Sequence, residues 1–239
     1  MKQTVDKLTS WIESKIGDSG QEGVVLGLSG GLDSSALAGL CAKACPGNTL
    51  GLIMPCYSNA EDEEDARLVA ETFNIPFKVI VLDDIFDLFM AKFGEENNRN
   101  HEDLAIANVK PRLRMTTLYY YAARNRYLVA GSSNRSELTV GYFTKFGDSA
   151  VDIMPLANLL KSEIKELAMY LGVPAKVVEK PPSGGLWKNQ TDEGEMGLTY
   201  AQLDNYLLTG EGEKETKELI EKMIKRAEHK KNLPPVPDF

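Results

Sequence analysis

The chain has 239 residues, 43% hydrophobic and 26% charged, the make-up of a globular protein with a core large enough for one sizeable domain. Its formal net charge of −8 leaves no general basic footprint for nucleic acid. No apolar run approaches the roughly 18 residues a membrane span needs, and the opening "MKQTVDKLTSWIESKI" lacks the apolar stretch of a signal peptide. A cytoplasmic location is expected, with neither nucleic acid nor membrane as partner.

In chain order, residues 2 to 17 predict an amphipathic helix with Val5, Leu8, Trp11, Ile12 and Ile16 near one face. Residues 24 to 28 are short, β-branched and almost wholly apolar, which suits a strand buried on both faces of a parallel sheet. A helix follows over 33 to 44. Strand 50 to 54 leads to helix 61 to 73, and strand 78 to 82 leads to helix 84 to 93. A long helical region over 103 to 125 precedes strand 127 to 131, and a helix is predicted over 159 to 171. Alternating β and α elements imply an α/β fold: one doubly wound parallel sheet with ligands at the carboxyl ends of its strands. Residues 180 to 197 have no periodicity and are rich in turn formers, so they read as a long loop of the kind that carries function. Helices over 199 to 208 and 213 to 229 and a Pro-rich tail complete the chain, with no repeat and no linker dividing it.

Several features invite chemistry and have plainer readings. Cys41, Cys45 and Cys56 form no CxxC, and with only His101 and His229 beside them they read as small buried side chains. The acidic run Glu61 to Asp65 opens a helix, where carboxylates complement the dipole as a solvated face. The NxS/T matches at Asn134 and Asn189 carry no weight without secretion.

The stretch "VVLGLSGGLDSSALAGL", residues 24 to 40, is the most informative. Gly30 and Gly31 permit backbone angles closed to other residues and let a ligand approach the main chain. Free N–H groups at a helix start, reinforced by the dipole, suit an anion such as phosphate. Strand, glycine turn and Ser/Asp cap is also how an ordinary α/β unit punctuates itself. Neither GxxxxGK[ST] nor GxGxxG is present. What remains, SGGxDS, resembles the pyrophosphate-binding loop of the ATP pyrophosphatases, which activate a carboxylate or carbonyl by adenylation.

Four further stretches narrow that resemblance over nearly the whole chain: "NVKPRLRMTTLYYYA" at 108 to 122, "GSSNRSELTVGYFTKFGDSAVDIMPL" at 131 to 156, "LLKSEIKELAMYLGVP" at 159 to 174 and "KPPSGGLWKNQTDEGEMGLTY" at 180 to 200. Together they resemble the ammonia-dependent NAD synthetases. The resemblance implies a single Rossmann-like domain of adenine nucleotide alpha hydrolase type, with ATP as co-substrate, Mg²⁺ as cofactor, and deamido-NAD and ammonia as the other substrates. It implies that Ser29, Gly30, Gly31, Ser34 and Ser35 hold the ATP phosphates, that Asp33 and Glu137 bind the metal, and that Lys161 and Ser183 contact phosphate in catalysis. Spacing alone makes Glu137 an ordinary helix-surface carboxylate, and Lys161, a cation in the first turn of a helix, opposes the dipole. Asn108, Arg112, Tyr119, Lys145, Asp148 and Asp152 are placed by the resemblance at the deamido-NAD site, with Asp148 able to take a proton as ammonium becomes ammonia. Arg112 and Arg114, two apart on a helix, face differently, and Pro111 fits only in a helix's first turn, so it starts the helix there. The family also implies a homodimer. A chain filled by the synthetase leaves no room for a glutaminase domain, so free ammonia is the expected nitrogen source. Two rivals stand against this reading: another adenylating enzyme of the same loop family, which would carry catalytic cysteines or basic RNA-binding additions, and a non-catalytic adenosine nucleotide-binding module.

Overall fold

The computed structural model describes residues 1–95, 103–187, 190–232 and 234–239, so His101 and Asn189 lie outside the described residues. The order of elements is α1 (Lys2–Ser19), β1 (Gly23–Gly27), α2 (Leu32–Ala44), β2 (Thr49–Ile53), α3 (Ala60–Thr72), β3 (Phe77–Val79), α4 (Asp83–Lys92), α5 (Leu104–Ala107), α6 (Val109–Asn125), β4 (Tyr127–Ala130) and α7 (Arg135–Val140). Then come α8 (Lys161–Leu171), α9 (Ala175–Val178), α10 (Asp192–Met196), α11 (Tyr200–Thr209) and α12 (Lys214–Lys231).

The four strands form one parallel sheet in the order β3-β2-β1-β4, with Val25 opposite Leu50 on one side and Val129 on the other. A bridge between Ala130 and Ile153 continues the pairing beyond β4. Side chains alternate along a strand, and β1 is covered on both faces. Val24, Leu26 and Leu28 enter a core shared with α1, α2, α3 and α8, while Val25 enters a second core with Phe86 of α4 and Ala122 of α6. Helices on both faces make the sheet doubly wound, as expected. A third core, built from Val140, Met196, Leu203 and Ile220, joins α7, α10, α11 and α12.

Several local expectations change. On α1 the buried residues are Val5, Thr9 and Ile12, with Leu8 and Ile16 packed beside them, and Trp11 is exposed because it lies one position off that stripe. The strand predicted over 78 to 82 is regular only at Phe77–Val79, though Ile80 and Leu82 still donate N–H groups to Ile53 and Pro55 at 2.9 and 2.8 Å. The region 103 to 125 is two helices meeting at Asn108, with Pro111 third in α6 and so within its first turn. The loop at 180 to 197 contains a short helix, α10, capped by the Thr191 hydroxyl. All three cysteines are free, with Cys41 and Cys56 buried.

The acidic run does not form a wholly solvated face. Asp65 is buried, with its side chain 1% exposed, and holds Lys180 at 2.6 Å and Lys176 at 2.9 Å. Burial disfavours its charge, yet the two lysines prevail and lower its pKa. These pairs fasten α3 to α9 and to the start of the 180–191 segment. A group with a lowered folded-state pKa gives stability that is complete above its unfolded value, about 4, and lost as pH falls through the folded one. Asp65→Asn is therefore expected to destabilise the protein at pH 7 by about 1–3 kcal/mol, and to flatten the decline in stability below about pH 4. Chemical denaturation across pH reads both effects, and an unchanged acid limb would refute the assignment.

Candidate active site

The glycine turn after β1 has a steric reason. Gly30 adopts φ +73, and a Cβ placed there would lie 2.3 Å from the Asp62 carbonyl oxygen at the start of α3. Only glycine lets the chain turn so tightly against that helix. Gly31 then caps α2 without a side-chain acceptor, which leaves the first N–H groups of the helix available to a ligand. Ser34 and Ser35 are buried and donate their hydroxyls to the Gly31 carbonyl at 3.1 and 2.7 Å, while Ser29 is exposed, with its Oγ 2.9 Å from that of Ser34. The Ser29 N–H donates to Ser34 Oγ at 3.4 Å and the Gly31 N–H to Ser29 Oγ at 3.3 Å, so hydroxyls stiffen the turn from within while Ser29 stays at the surface.

Asp33, in the first turn of α2, meets residues from two distant helices. Lys161, the first residue of α8, donates its ammonium to Asp33 Oδ2 and to Glu137 Oε1, the latter at 3.3 Å. All three side chains are largely buried. Asn134 knits the group together: its Nδ2 donates to Asp33 Oδ1 at 3.0 Å, and its Oδ1 accepts the Glu137 N–H at 2.9 Å. Asn134 and Glu137 also complete a capping box at the head of α7. Above the lysine, 4.8 Å from its Nζ, lies the Tyr200 ring, whose hydroxyl donates to Asp192 Oδ2 at 2.9 Å.

Three carboxylates thus surround one lysine. Burial, and then the neighbouring Asp33 charge, push Glu137 up to about 8. Burial also raises Asp192, against the pull of Lys161. Burial works against the lysine's charge, but Asp33 and Glu137 outweigh it and hold Lys161 protonated. Among the described residues Asp192 Oδ1 is buried with no hydrogen-bond partner. An excess of hard oxygen donors beside free N–H groups fits a divalent cation carried in by phosphate. Mg²⁺ characteristically takes one or two carboxylates and completes its shell with phosphate and water. Among the described residues no group of three or more His, Cys, Asp or Glu side chains is arranged to hold a metal ion by itself.

The residues assigned to the acceptor end form a second cluster. Thr144 donates its Oγ1 to Asn108 at 2.6 Å and its N–H to Asp148 at 2.9 Å. Arg112 donates to the Lys145 carbonyl at 3.2 Å, and Lys145 Nζ donates to the His229 carbonyl at 2.5 Å. Tyr119 donates to Asp152 Oδ1 at 3.1 Å, and Asp152 Oδ2 accepts the Val129 N–H at 2.8 Å, so Asp152 braces α6 against β4. Burial and Asp152 push Tyr119 up to about 12. A groove of about 260 Å³ runs between Tyr119, Lys145, Phe146 and Lys230. Arg114 points elsewhere, to the Met54 carbonyl at 3.1 Å and Ser58 at 3.3 Å, as its spacing from Arg112 implied. Ser183 joins neither cluster. It is exposed, and its Oγ accepts the Gly185 N–H at 3.2 Å.

Sequence reasoning missed Asn134, Asp192 and Tyr200. Asn134 had a signal, since Asn followed three residues later by Glu is a helix-start signature. Asp192 and Tyr200 had none, because they reach the site only through the fold of the 180–200 segment.

A glycine turn at the carboxyl edge of a parallel sheet, opening onto an uncapped helix start and a lysine–carboxylate cluster, defines the class: an α/β protein whose free N–H groups at the head of α2 suit a phosphate group. Residues 4–234 match the family model described as NAD synthase. The chain is 50% identical over 236 residues to the NH(3)-dependent NAD(+) synthetase of Carboxydothermus hydrogenoformans, covering 99% of this chain and 97% of that one. Its structure is similar to that of NMN synthetase from Francisella tularensis, with a TM-score of 0.94, 38% identity and coverage of 100% and 98%. It is also similar to the NH3-dependent NAD synthetase of Campylobacter jejuni, with a TM-score of 0.81, 32% identity and coverage of 99% and 98%. The chain belongs to the NAD synthase family, and its chemistry is that of an ATP-dependent ligase.

A methyl group at position 30 is the simplest probe of the turn. Gly30→Ala is expected to destabilise the protein by about 1–3 kcal/mol and to weaken the extra thermal stability that ATP confers. Thermal unfolding with and without ATP measures both, and an undiminished ATP-dependent rise would show that the turn does not hold the nucleotide.

Proposed function

We propose that this chain amidates the nicotinic acid carboxylate of deamido-NAD with ammonia, converting ATP to AMP and pyrophosphate. The observation that carries this reading is the Asp33–Lys161–Glu137 cluster at the uncapped start of α2. The substrate carboxylate attacks the α-phosphorus of ATP. A carboxylate–phosphorus bond forms, the bond to the β-phosphoryl oxygen breaks, and pyrophosphate leaves. Ammonia then adds to the carbonyl carbon of the mixed anhydride, AMP departs with the C–O bond's electrons, and the nitrogen loses a proton.

In this reading the backbone around Ser29, Gly30 and Gly31, with Ser34 and Ser35 bracing it, cradles the phosphates. Lys161 and Ser183 offset the charge that develops on the departing pyrophosphate. Asp33 and Glu137 hold Mg²⁺, which supplies Lewis-acid neutralisation of the triphosphate when bound. Asn108, Arg112, Tyr119 and Lys145 orient deamido-NAD, Asp152 fixes Tyr119, and Asp148 receives the proton of ammonium. The site's negative excess suits an ammonium ion's approach.

Two further parts of the proposal concern assembly and place. Val81, Ile85, Leu88, Phe89 and Phe93 leave an apolar stripe exposed along and beside α4, with spacing near that of a helix face. A second copy of the chain is the occupant proposed for it, making a homodimer. Leu88→Arg is expected to convert dimer to monomer, as read by sedimentation velocity, and an unchanged species would remove this face from the interface. Among the described residues no helix is long and apolar enough to cross a membrane, and three free thiols suit the reducing cytoplasm.

The deciding experiment supplies purified protein with ATP, Mg²⁺ and deamido-NAD, adds ammonium chloride or glutamine, and follows NAD, AMP and pyrophosphate. NAD is expected with ammonium and not glutamine, with AMP in equal amount, and Asp33→Ala is expected to lower turnover on the order of 10²–10³-fold while still folding. Absence of NAD and AMP would overturn the reading, and an active Asp33→Ala would overturn the metal role. The likeness to an NMN synthetase favours a second acceptor, nicotinic acid mononucleotide, which carries the same carboxylate without the adenylate half. The ratio of kcat/KM for the two acceptors in the same assay separates these readings.

A further inference from the structure

Helix α8 starts without a polar cap of its own. Its N-cap is Leu160, yet the helix begins at Lys161, a cation placed where the dipole repels it. Glu163 takes the Leu160 N–H at 2.8 Å, and the next two N–H groups find acceptors on other helices. Ser136 of α7 accepts the Lys161 N–H at 3.1 Å, and Asp204 of α11 accepts the Ser162 N–H at 2.9 Å and its hydroxyl at 2.8 Å. Ser136 in turn donates to the other oxygen of Asp204 at 2.5 Å. Ser136 and Asp204 are both buried, and Ser136 immediately precedes Glu137.

We infer that Asp204 is a positioning residue for the reaction: through Ser136 and the first turn of α8 it fixes Lys161 against Glu137. The inference rests on the proposed role of Lys161 in ATP chemistry. Asp204 touches neither the lysine's ammonium nor any candidate substrate-binding group. Its carboxylate supplies the missing acceptors and a negative charge at the helix start, which offsets the unfavourable placement of Lys161. With both oxygens occupied by three donors, the heads of α7 and α8 are held in one register, and a shift of about 1 Å in such a group is enough to slow chemistry by roughly 10²-fold.

The test compares Asp204→Asn, Ser136→Ala and, as a structural control, Ile12→Ala, which removes a buried side chain from α1, away from this junction and from the third core. Turnover is measured per folded molecule, well below each thermal midpoint, with ammonium, ATP and deamido-NAD, and Lys161→Ala is assayed in parallel. Asp204→Asn and Ser136→Ala are expected to lower kcat on the order of 10- to 100-fold with little change in KM for deamido-NAD, while Ile12→Ala lowers the midpoint and keeps kcat. If Asp204→Asn does not fold, Ser136→Ala carries the same comparison. Unchanged kcat in the junction variants, or an equal loss in Ile12→Ala, would overturn the inference. An active Lys161→Ala would instead overturn the role of the lysine on which it rests.

Discussion

A single buried cation organises this molecule's working edge. Lys161 of α8 lies between Asp33 of α2 and Glu137 of α7, which are 128 and 24 residues from it along the chain. Breaking a buried ion pair by removing one partner costs about 3–5 kcal/mol, so Asp33 and Lys161 require each other, and Glu137, pushed by burial toward its neutral form, still accepts from the lysine. The requirement constrains α2, α7 and α8 together. It explains why α7, only six residues long, carries a full capping box at its head, with Asn134 also reaching Asp33. It also explains the third hydrophobic core, which packs α10, α11 and α12 against α7 and brings Tyr200 over the lysine. The C-terminal helices complete the site as well as enlarging the protein.

The parts legible in the sequence were those governed by local physics. An apolar run into two glycines and a helix start reads as β1, turn and α2 because strand burial, positive φ and capping are all settled within a dozen residues. Parallel pairing followed from the alternation of elements. Asp65 misled because a carboxylate in a helix's first turn is locally content in water, and only the approach of Lys176 and Lys180, more than a hundred residues away, buries it. Trp11 misled because large apolar side chains near a stripe look buried until the partner helix sets the stripe's centre.

The site divides the same way. Asp33 announces itself through its turn, and Lys161 through its conflict with the helix dipole. Glu137 does not, since at its spacing most glutamates face solvent, and the resemblance to a known family carried that assignment. Asp192, Tyr200 and Asp204 were out of reach for a different reason. Their partners are Tyr200, Glu137 and Ser136, in segments whose approach depends on how the 180–200 stretch folds and on where α11 docks.

The juxtaposition of unlike charges at this edge limits what can bind. The first N–H groups of α2 attract an anion, but Asp33 lies in the same turn, and Glu137 and Asp192 stand close behind it. A bare triphosphate would meet three carboxylates with one lysine to offset them, and a bare divalent cation would meet a lysine already seated between its two best ligands. On the proposed function, cation and triphosphate arriving together would satisfy both halves: Asp33 and Glu137 would hold the metal, and the phosphates would give Lys161 and the N–H groups an anion in place of the carboxylates. On the proposed function, the sign of the charge at each position favours the metal–nucleotide complex over either component, with the carboxylates turned to the metal and the lysine to the phosphates.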